Sequence, residues 1–462
     1  MTGGGHGSRD ARSPTLRLGA GSAWWGDRVD PAGDLARDGA LDYLCFETMA
    51  EATMSAARVR MRADPRYPGY DTYLDERMYA VLAACRRNGT RIISNQGWAN
   101  PAAAGARIAA IARELGIPDL RIATVQGVVP DAVIDAFDGV VVESGARFRD
   151  LPFDRVSADA YLGASAIVEA LRRGADVVVT SRVADPSLYV APIAFEFGWS
   201  LDDWDRLGKA TVVGHLMECA AQCTGGYFAD PGYKSVPDLA RVGFPIAIVE
   251  GTGDARITKL PAAGGLVTAR TCKEQLLYEI HDPSAYVTPD VVADFSHVRF
   301  EEVDRDVVRV TGGTGHPRTP TLKICVGCHE GYIAEDWFFF AGPGALEKAK
   351  LAREVLEERF RIVGLRADEV RIDFLGVNAV HGGLSPAPTS PPYEVGVRVA
   401  ARARDLREAN KVVREVDAMA VCGVAGTGKR VPPRERSREV IGLHSILLPR
   451  DAVRVEVAFV EA

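Results

Sequence analysis

The richest concentration of chemically capable side chains is the run Gly214-His-Leu-Met-Glu-Cys-Ala-Ala-Gln-Cys-Thr-Gly-Gly226. If Thr211–Gln222 is a helix, His215, Glu218, Cys219 and Gln222 fall at i, i+3, i+4 and i+7, on one face. Val212, Val213, Leu216, Met217, Ala220 and Ala221 are apolar, so the helix is expected to be buried with one polar stripe. Buried polar groups find partners or line a cavity. His215 and Glu218 in that stripe could trade protons. Gln222 could donate to a carbonyl, and Cys219 could attack one. The alternative is a satisfied structural network with no chemistry. Two ligands do not make a metal site, and none is expected.

Polar residues also follow each apolar run of the first half of the chain. Gly19-Ala-Gly-Ser-Ala-Trp-Trp-Gly-Asp27 follows the first run, Glu47 and Glu51 the second, and Asn95-Gln-Gly-Trp-Ala-Asn100 the third. Gln126 and Gly127 follow the fourth, and Ser181, Arg182 and Asp185 follow Ala175–Thr180. In an open parallel sheet, ligands bind outside the carboxyl ends of the strands. Glycine, Asn and Asp also punctuate ordinary loops, but five polar ends together favour a cleft. Catalytic roles fall to His215, Glu218 and Asp185. Substrate-binding roles fall to Asn95, Trp98, Arg182, Gln222, Cys219 and Glu47, with Arg182 gripping a carboxylate.

Three motifs are set aside. Glycine at 19 and 21 suggests a dinucleotide loop, but position 24 is Trp, where a pyrophosphate needs a third glycine. Cys325-Val-Gly-Cys-His329 has the spacing of a haem attachment site, yet it lies in a β-like segment without further ligands. Gly423-Val-Ala-Gly-Thr-Gly-Lys429 has P-loop spacing, but Arg430 stands where Ser or Thr must hold Mg²⁺. Lys429 and Arg430 are kept as an anion-binding pair, and no cofactor is expected.

These groups need a scaffold. Strands are predicted at Leu16–Ala20, Asp42–Phe46, Arg91–Ser94, Leu120–Val125 and Ala175–Thr180. Helices are predicted from about Thr48, over 101–115 and over Ala158–Arg173. Such alternation argues for a doubly wound, largely parallel α/β sheet. From about residue 290 the texture turns β-branched. Strands at 322–328, 333–341, 370–375, 394–401 and 453–460, with helices at 345–360 and 406–419, suggest a smaller two-layer α/β domain. The expected division is a flexible tail over 1–15, a parallel domain with the cleft over 16–300, and the second domain over 301–462.

Composition narrows the function classes. The chain has 462 residues, 47% hydrophobic and 25% charged, with a net charge of −7. That is ordinary for a globular protein and unsuited to general nucleic-acid binding, which needs a basic surface. The first fifteen residues lack the apolar core of a signal peptide, and no apolar run reaches membrane-span length. Eight cysteines in a chain this long read as reduced thiols of a cytoplasmic protein.

The segments Asp42-Tyr-Leu44, Ala50-Glu-Ala-Thr-Met54, Asn95–Pro101, Ser181-Arg-Val-Ala-Asp185, Gly214–Cys219, Gly264–Thr268, Glu274–Glu279 and Tyr286–Asp290 resemble the acyclic terpene utilisation (AtuA-type) family. The resemblance runs from about Leu16 almost to the end. The chain departs from the usual pattern with Ser181 for a glycine, Trp98 in a glycine-type loop, and the Cys325/Cys328 pair. Trp98 suggests a reshaped pocket. The resemblance implies metabolism of branched acyclic terpenoids through CoA thioesters. The expected function is lyase or hydratase-type acid–base chemistry on a small branched carboxylic acid or acyl-CoA thioester, in a possible homo-oligomer with no nucleic-acid or membrane partner. The alternative is a non-catalytic partner subunit of an acyl-CoA carboxylase or similar complex.

Overall fold

The computed structural model describes residues 15–429 and 436–462. The chain forms two compact units. The first contains residues up to Leu151, Ser157–Val326 and Leu443–Ala462; the second contains Pro152–Val156 and Gly327–Gly442. The sequence placed the change near residue 300 and kept the C-terminal strand with the second unit. That strand, Arg454–Glu461, instead runs antiparallel to Arg121–Val128 in the first.

The first unit is built on a ten-stranded sheet. Its heart is parallel, with strands in the order Thr15–Ser22, Tyr43–Phe46, Arg91–Ser94, Val177–Thr180 and Arg121–Val128. Tyr43-Leu-Cys-Phe46 and Val177-Val-Val-Thr180 are buried at every position. Helices cover both faces of a parallel sheet, so its strands read as unbroken apolar runs. Antiparallel strands flank this core, beginning with Pro245–Glu250 and Ala255–Lys259 on one side and ending with Arg454–Glu461 on the other. The architecture is α/β, with helices on both sides of a large sheet.

The Trp204–Glu218 helix is fully buried from Ala210 to Glu218. Gly214 makes this possible. A Cβ there would lie 2.6 Å from the Pro186 carbonyl oxygen, so the helix backbone meets the start of the Ser187–Glu196 helix directly. This close approach brings Glu218 and Asp185 to the same region.

In the second unit, Thr321–Ala341, Glu394–Ala403 and Glu369–Leu375 form an antiparallel sheet. The Ala345–Ile362 and Leu406–Cys422 helices pack on it through Ala349, Leu356, Val412 and Val416, against Phe338, Phe340, Val397 and Val399.

Several elements differ from expectation. Residues 47–52 form a loop, and the helix begins at Thr53. Ala158 lies inside a strand, Asp154–Ala160, with the helix starting only at Ser165. The runs at 322–328 and 333–341 are one 21-residue strand with Gly331 at φ +106°, a polar, glycine-bearing kink that reads as a turn in sequence. The 423–428 loop follows a helix and leads into a strand at Gly428–Lys429. A P-loop needs the reverse order, strand to loop to helix N-terminus. The backbone of Lys429 pairs with Phe338, while Arg430 lies outside the described residues, so the anion-binding pair gains no support.

Candidate functional site

A cavity of about 1070 Å³ opens at the carboxyl ends of the parallel strands. Trp24 reaches it from the loop after the first strand, Glu47 and Glu51 from after the second, and Arg182 and Asp185 from after Val177–Thr180. Glu218, Cys219 and Gln222 enter from the end of the buried helix. This is where a parallel α/β sheet binds ligands. A second cavity of about 860 Å³ lies at the amino ends, lined by Tyr43, Arg91, Asp176 and Glu196. Its charges answer one another: Arg91 lies 3.5 Å from Glu196, and the Tyr43 hydroxyl donates to Glu196 at 2.6 Å.

The Trp204–Glu218 helix stops one turn earlier than its spacing predicts. Cys219 caps it, Ala220 takes φ +38°, and Ala220–Thr224 is a 3-10 turn. Gln222 still reaches the cavity, but from that turn. His215 and Glu218 share the last helical turn, with Nδ1 2.7 Å from Oε1. His215 does not line the cavity; it backs Glu218. Burial pushes the imidazole down to about 4, only partly offset by the Leu276 and Gln275 backbone. Burial, with Asp185 and Glu279 nearby, pushes the Glu218 carboxyl well up. Both charges are suppressed, so the contact is a hydrogen bond between two neutral groups and not an ion pair.

Glu47 is held by the Met49 backbone N–H at 2.6 Å and the Asn95 side-chain amide at 3.0 Å. Burial, then Asp185, raises its carboxyl well above the usual range. Asp185 is raised by burial against the opposing pull of Arg182, which lies 3.4 Å away. Arg182 donates to the Met49 carbonyl at 2.9 Å and to the Tyr161 hydroxyl, and its guanidinium lies 4.2 Å from the Tyr161 ring centroid. Both terminal nitrogens are engaged, which leaves Nε as the guanidinium atom without a hydrogen-bond partner among the described residues.

Asn95 and Trp98 do not line the cavity. The Asn95 carbonyl accepts from the Thr48 N–H at 2.8 Å and the Thr48 hydroxyl at 3.0 Å, so its amide is spent fixing the 47–49 loop. Trp98 joins Met49, Met54 and Tyr67 in an apolar cluster and donates to Thr48 Oγ1 at 3.2 Å. It supports the pocket wall from behind. Its φ of +41° is a conformation that favours glycine.

Sequence reasoning missed Tyr161, Glu279, Tyr286 and Lys323, all on the lining. Glu279 and Tyr286 sit inside segments that carried the family resemblance, and Glu279 has φ +60°. Strain of that kind gathers at functional sites. Nothing local marked Tyr161 or Lys323.

Cys219 faces the cavity, but burial raises its thiol far above the ordinary range, which makes it a poor nucleophile. Cys325 and Cys328 are buried on one strand. Residues three apart on a strand point to opposite faces, so the two thiols cannot grip one group. Among the described residues, no three His, Cys, Asp or Glu side chains are grouped to hold a metal ion. Of the eight thiols, Cys422 alone is exposed. Ellman titration of the native protein should show one fast thiol, lost in Cys422→Ser. A fast signal that survives that substitution would mean an activated Cys219.

His215 also sets a pH response. Its folded value, about 4, lies below its unfolded value near 6.5. Between these the unfolded chain binds the extra proton, so this residue's contribution to stability is complete above about pH 6.5 and is lost as pH falls towards 4. Two and a half units correspond to roughly 3 kcal/mol at full effect. His215→Gln should therefore gain on the wild type by up to that amount between about pH 7 and 4. Parallel urea titrations of both proteins check this, and an unchanged difference would refute it.

An α/β protein with a carboxyl-lined cavity at its strand ends is what the fold and site define. The chain matches the acyclic terpene utilisation family protein AtuA over residues 16–459 and belongs to that family. That membership supports a role in acyclic terpenoid metabolism. No curated protein and no solved structure matches the chain. No described helix is long and apolar enough to cross a membrane.

Proposed function

We propose that the protein is an enzyme performing acid–base chemistry, of the lyase or hydratase type, on a branched carboxylic acid or its CoA thioester in acyclic terpenoid metabolism. The observation that carries this reading is the trio Glu47, Asp185 and Glu218, the two glutamates buried and the aspartate half-buried, opening onto one cavity. Carboxyl groups with raised pKa values exchange protons near neutral pH. Glu218, backed by His215, is the proton carrier. Asp185 and Glu279 add to burial in favouring its neutral form, and Arg182 opposes them. Met49, Ala184, Pro186, Leu322 and Leu447 give the cavity apolar walls suited to a branched chain.

A non-catalytic partner subunit would need no cavity holding poised acids. The test is to incubate the purified protein with a panel of branched acyl-CoAs and follow them by mass spectrometry. Gain or loss of water from one member supports the reading. No conversion of any member, with the protein folded, counts against it.

A further inference from the structure

The cavity holds more acid than base. Glu47, Glu51, Asp185, Glu218 and Glu279 line it, against Arg182 and Lys323. Neither cation is spare. Lys323 is paired with Glu51, and the terminal nitrogens of Arg182 are engaged by the Met49 carbonyl, the Tyr161 hydroxyl and Asp185. The remaining titratable groups supply no positive charge. His215 stays neutral behind Glu218, while Cys219, Tyr278, Tyr286 and Cys325 are all shifted upward by burial. Three atoms of lining residues point to a ligand. Glu218 Oε2, Asp185 Oδ1 and Arg182 Nε are buried and have no hydrogen-bond partner among the described residues. Protonated, Glu218 Oε2 can donate to a carbonyl oxygen.

We propose that the cavity sorts ligands by charge: it accepts an uncharged carbonyl group at its carboxyl floor, in an ester, thioester or amide alike, and admits a free carboxylate only together with a proton. This rests on the acyl-ligand reading above and names the form of substrate it favours. A bare carboxylate would meet more like charge than Arg182 and Lys323, each already in an ion pair, can offset, and that juxtaposition is unfavourable in a desolvated site. An uncharged carbonyl meets a donor instead.

Citronellic acid and its primary amide have nearly the same shape and differ in charge. By calorimetry the amide should bind with constant affinity between about pH 6 and 8. The acid should bind at least about tenfold more weakly at about pH 8. It should gain about tenfold per pH unit lowered, with uptake of about one proton read from the buffer dependence of the heat. Asp185→Asn releases Arg182's charge and should narrow the gap about tenfold. Glu47→Gln serves the same purpose should Asp185→Asn not fold. An acid that binds as tightly as the amide at about pH 8 without proton uptake overturns the charge sorting and leaves the acyl reading standing. Tighter binding of citronellylamine than of either overturns it in favour of a cation site. Failure of all three to bind overturns the acyl reading as well.

Discussion

Glu218→Gln is expected to lower turnover by about 10²- to 10⁴-fold, the usual contribution of a positioned proton carrier, with the fold retained. Gln keeps the shape of Glu and can still hydrogen-bond His215, so the 2.7 Å contact survives. What it cannot do is exchange a proton. The substitution removes no buried charge, because the carboxyl is already held neutral by burial and by Asp185 and Glu279. Cys219→Ser, one residue on and facing the same cavity, should stay within about tenfold, since its thiol is held protonated. Circular dichroism and steady-state kinetics on a converted acyl-CoA compare the two. Full activity in Glu218→Gln would end the acid–base assignment. A dead, folded Cys219→Ser would replace it with covalent catalysis.

His215 and Glu218 were legible in sequence because helical periodicity fixes a face. His215 and Glu218 three apart in an apolar run had to share it. Glu47, Arg182 and Asp185 were legible through topology, since residues just beyond parallel strands gather at one end of the sheet. The misplaced details have a common cause: local pattern does not report where the chain breaks or what it pairs with. The break at Ala220 depends on a left-handed backbone at a residue whose type does not demand it. Ala158 reads as helix by composition, but its strand is held by distant partners, including Ser55, whose hydroxyl lies 2.8 Å from that of Ser157. Arg454–Glu461 was visible as a strand. Its partner, more than three hundred residues earlier in the chain, was not. Asn95 had the right residue type in the right place, and its role became clear only when both ends of its amide were seen committed to Glu47 and Thr48. Strand-end position selects the neighbourhood of a site, and the hydrogen-bond ledger decides which members face the ligand.

The largest loss of stability is expected at Arg77. It is fully buried and paired with the equally buried Asp71. It also donates to the backbone carbonyls of Trp24 and Trp25, at 3.1 and 2.7 Å. Asp71 in turn accepts from the Gln96 side chain at 2.8 Å. One ion pair thus ties the loop after the first strand to the loop after the third. Arg77→Met fills much of the same space but strands a carboxylate in the core. Breaking a buried pair from one side costs about 3–5 kcal/mol. Burial already presses the Asp71 carboxyl upward against Arg77's attraction, so without the cation it should take up a proton and part of the loss should return at low pH. Asp71→Asn combined with Arg77→Met removes the stranded charge and should recover about half of the loss or more. Trp24 lines the cavity and loses its anchor in both variants, so indole fluorescence and ligand affinity should change together even where the double variant regains stability. Denaturant titration of the two single variants and the double variant provides the cycle. A double variant as unstable as the sum of the singles would show that Arg77 acts by packing and loop anchoring alone, with no charge coupling to Asp71.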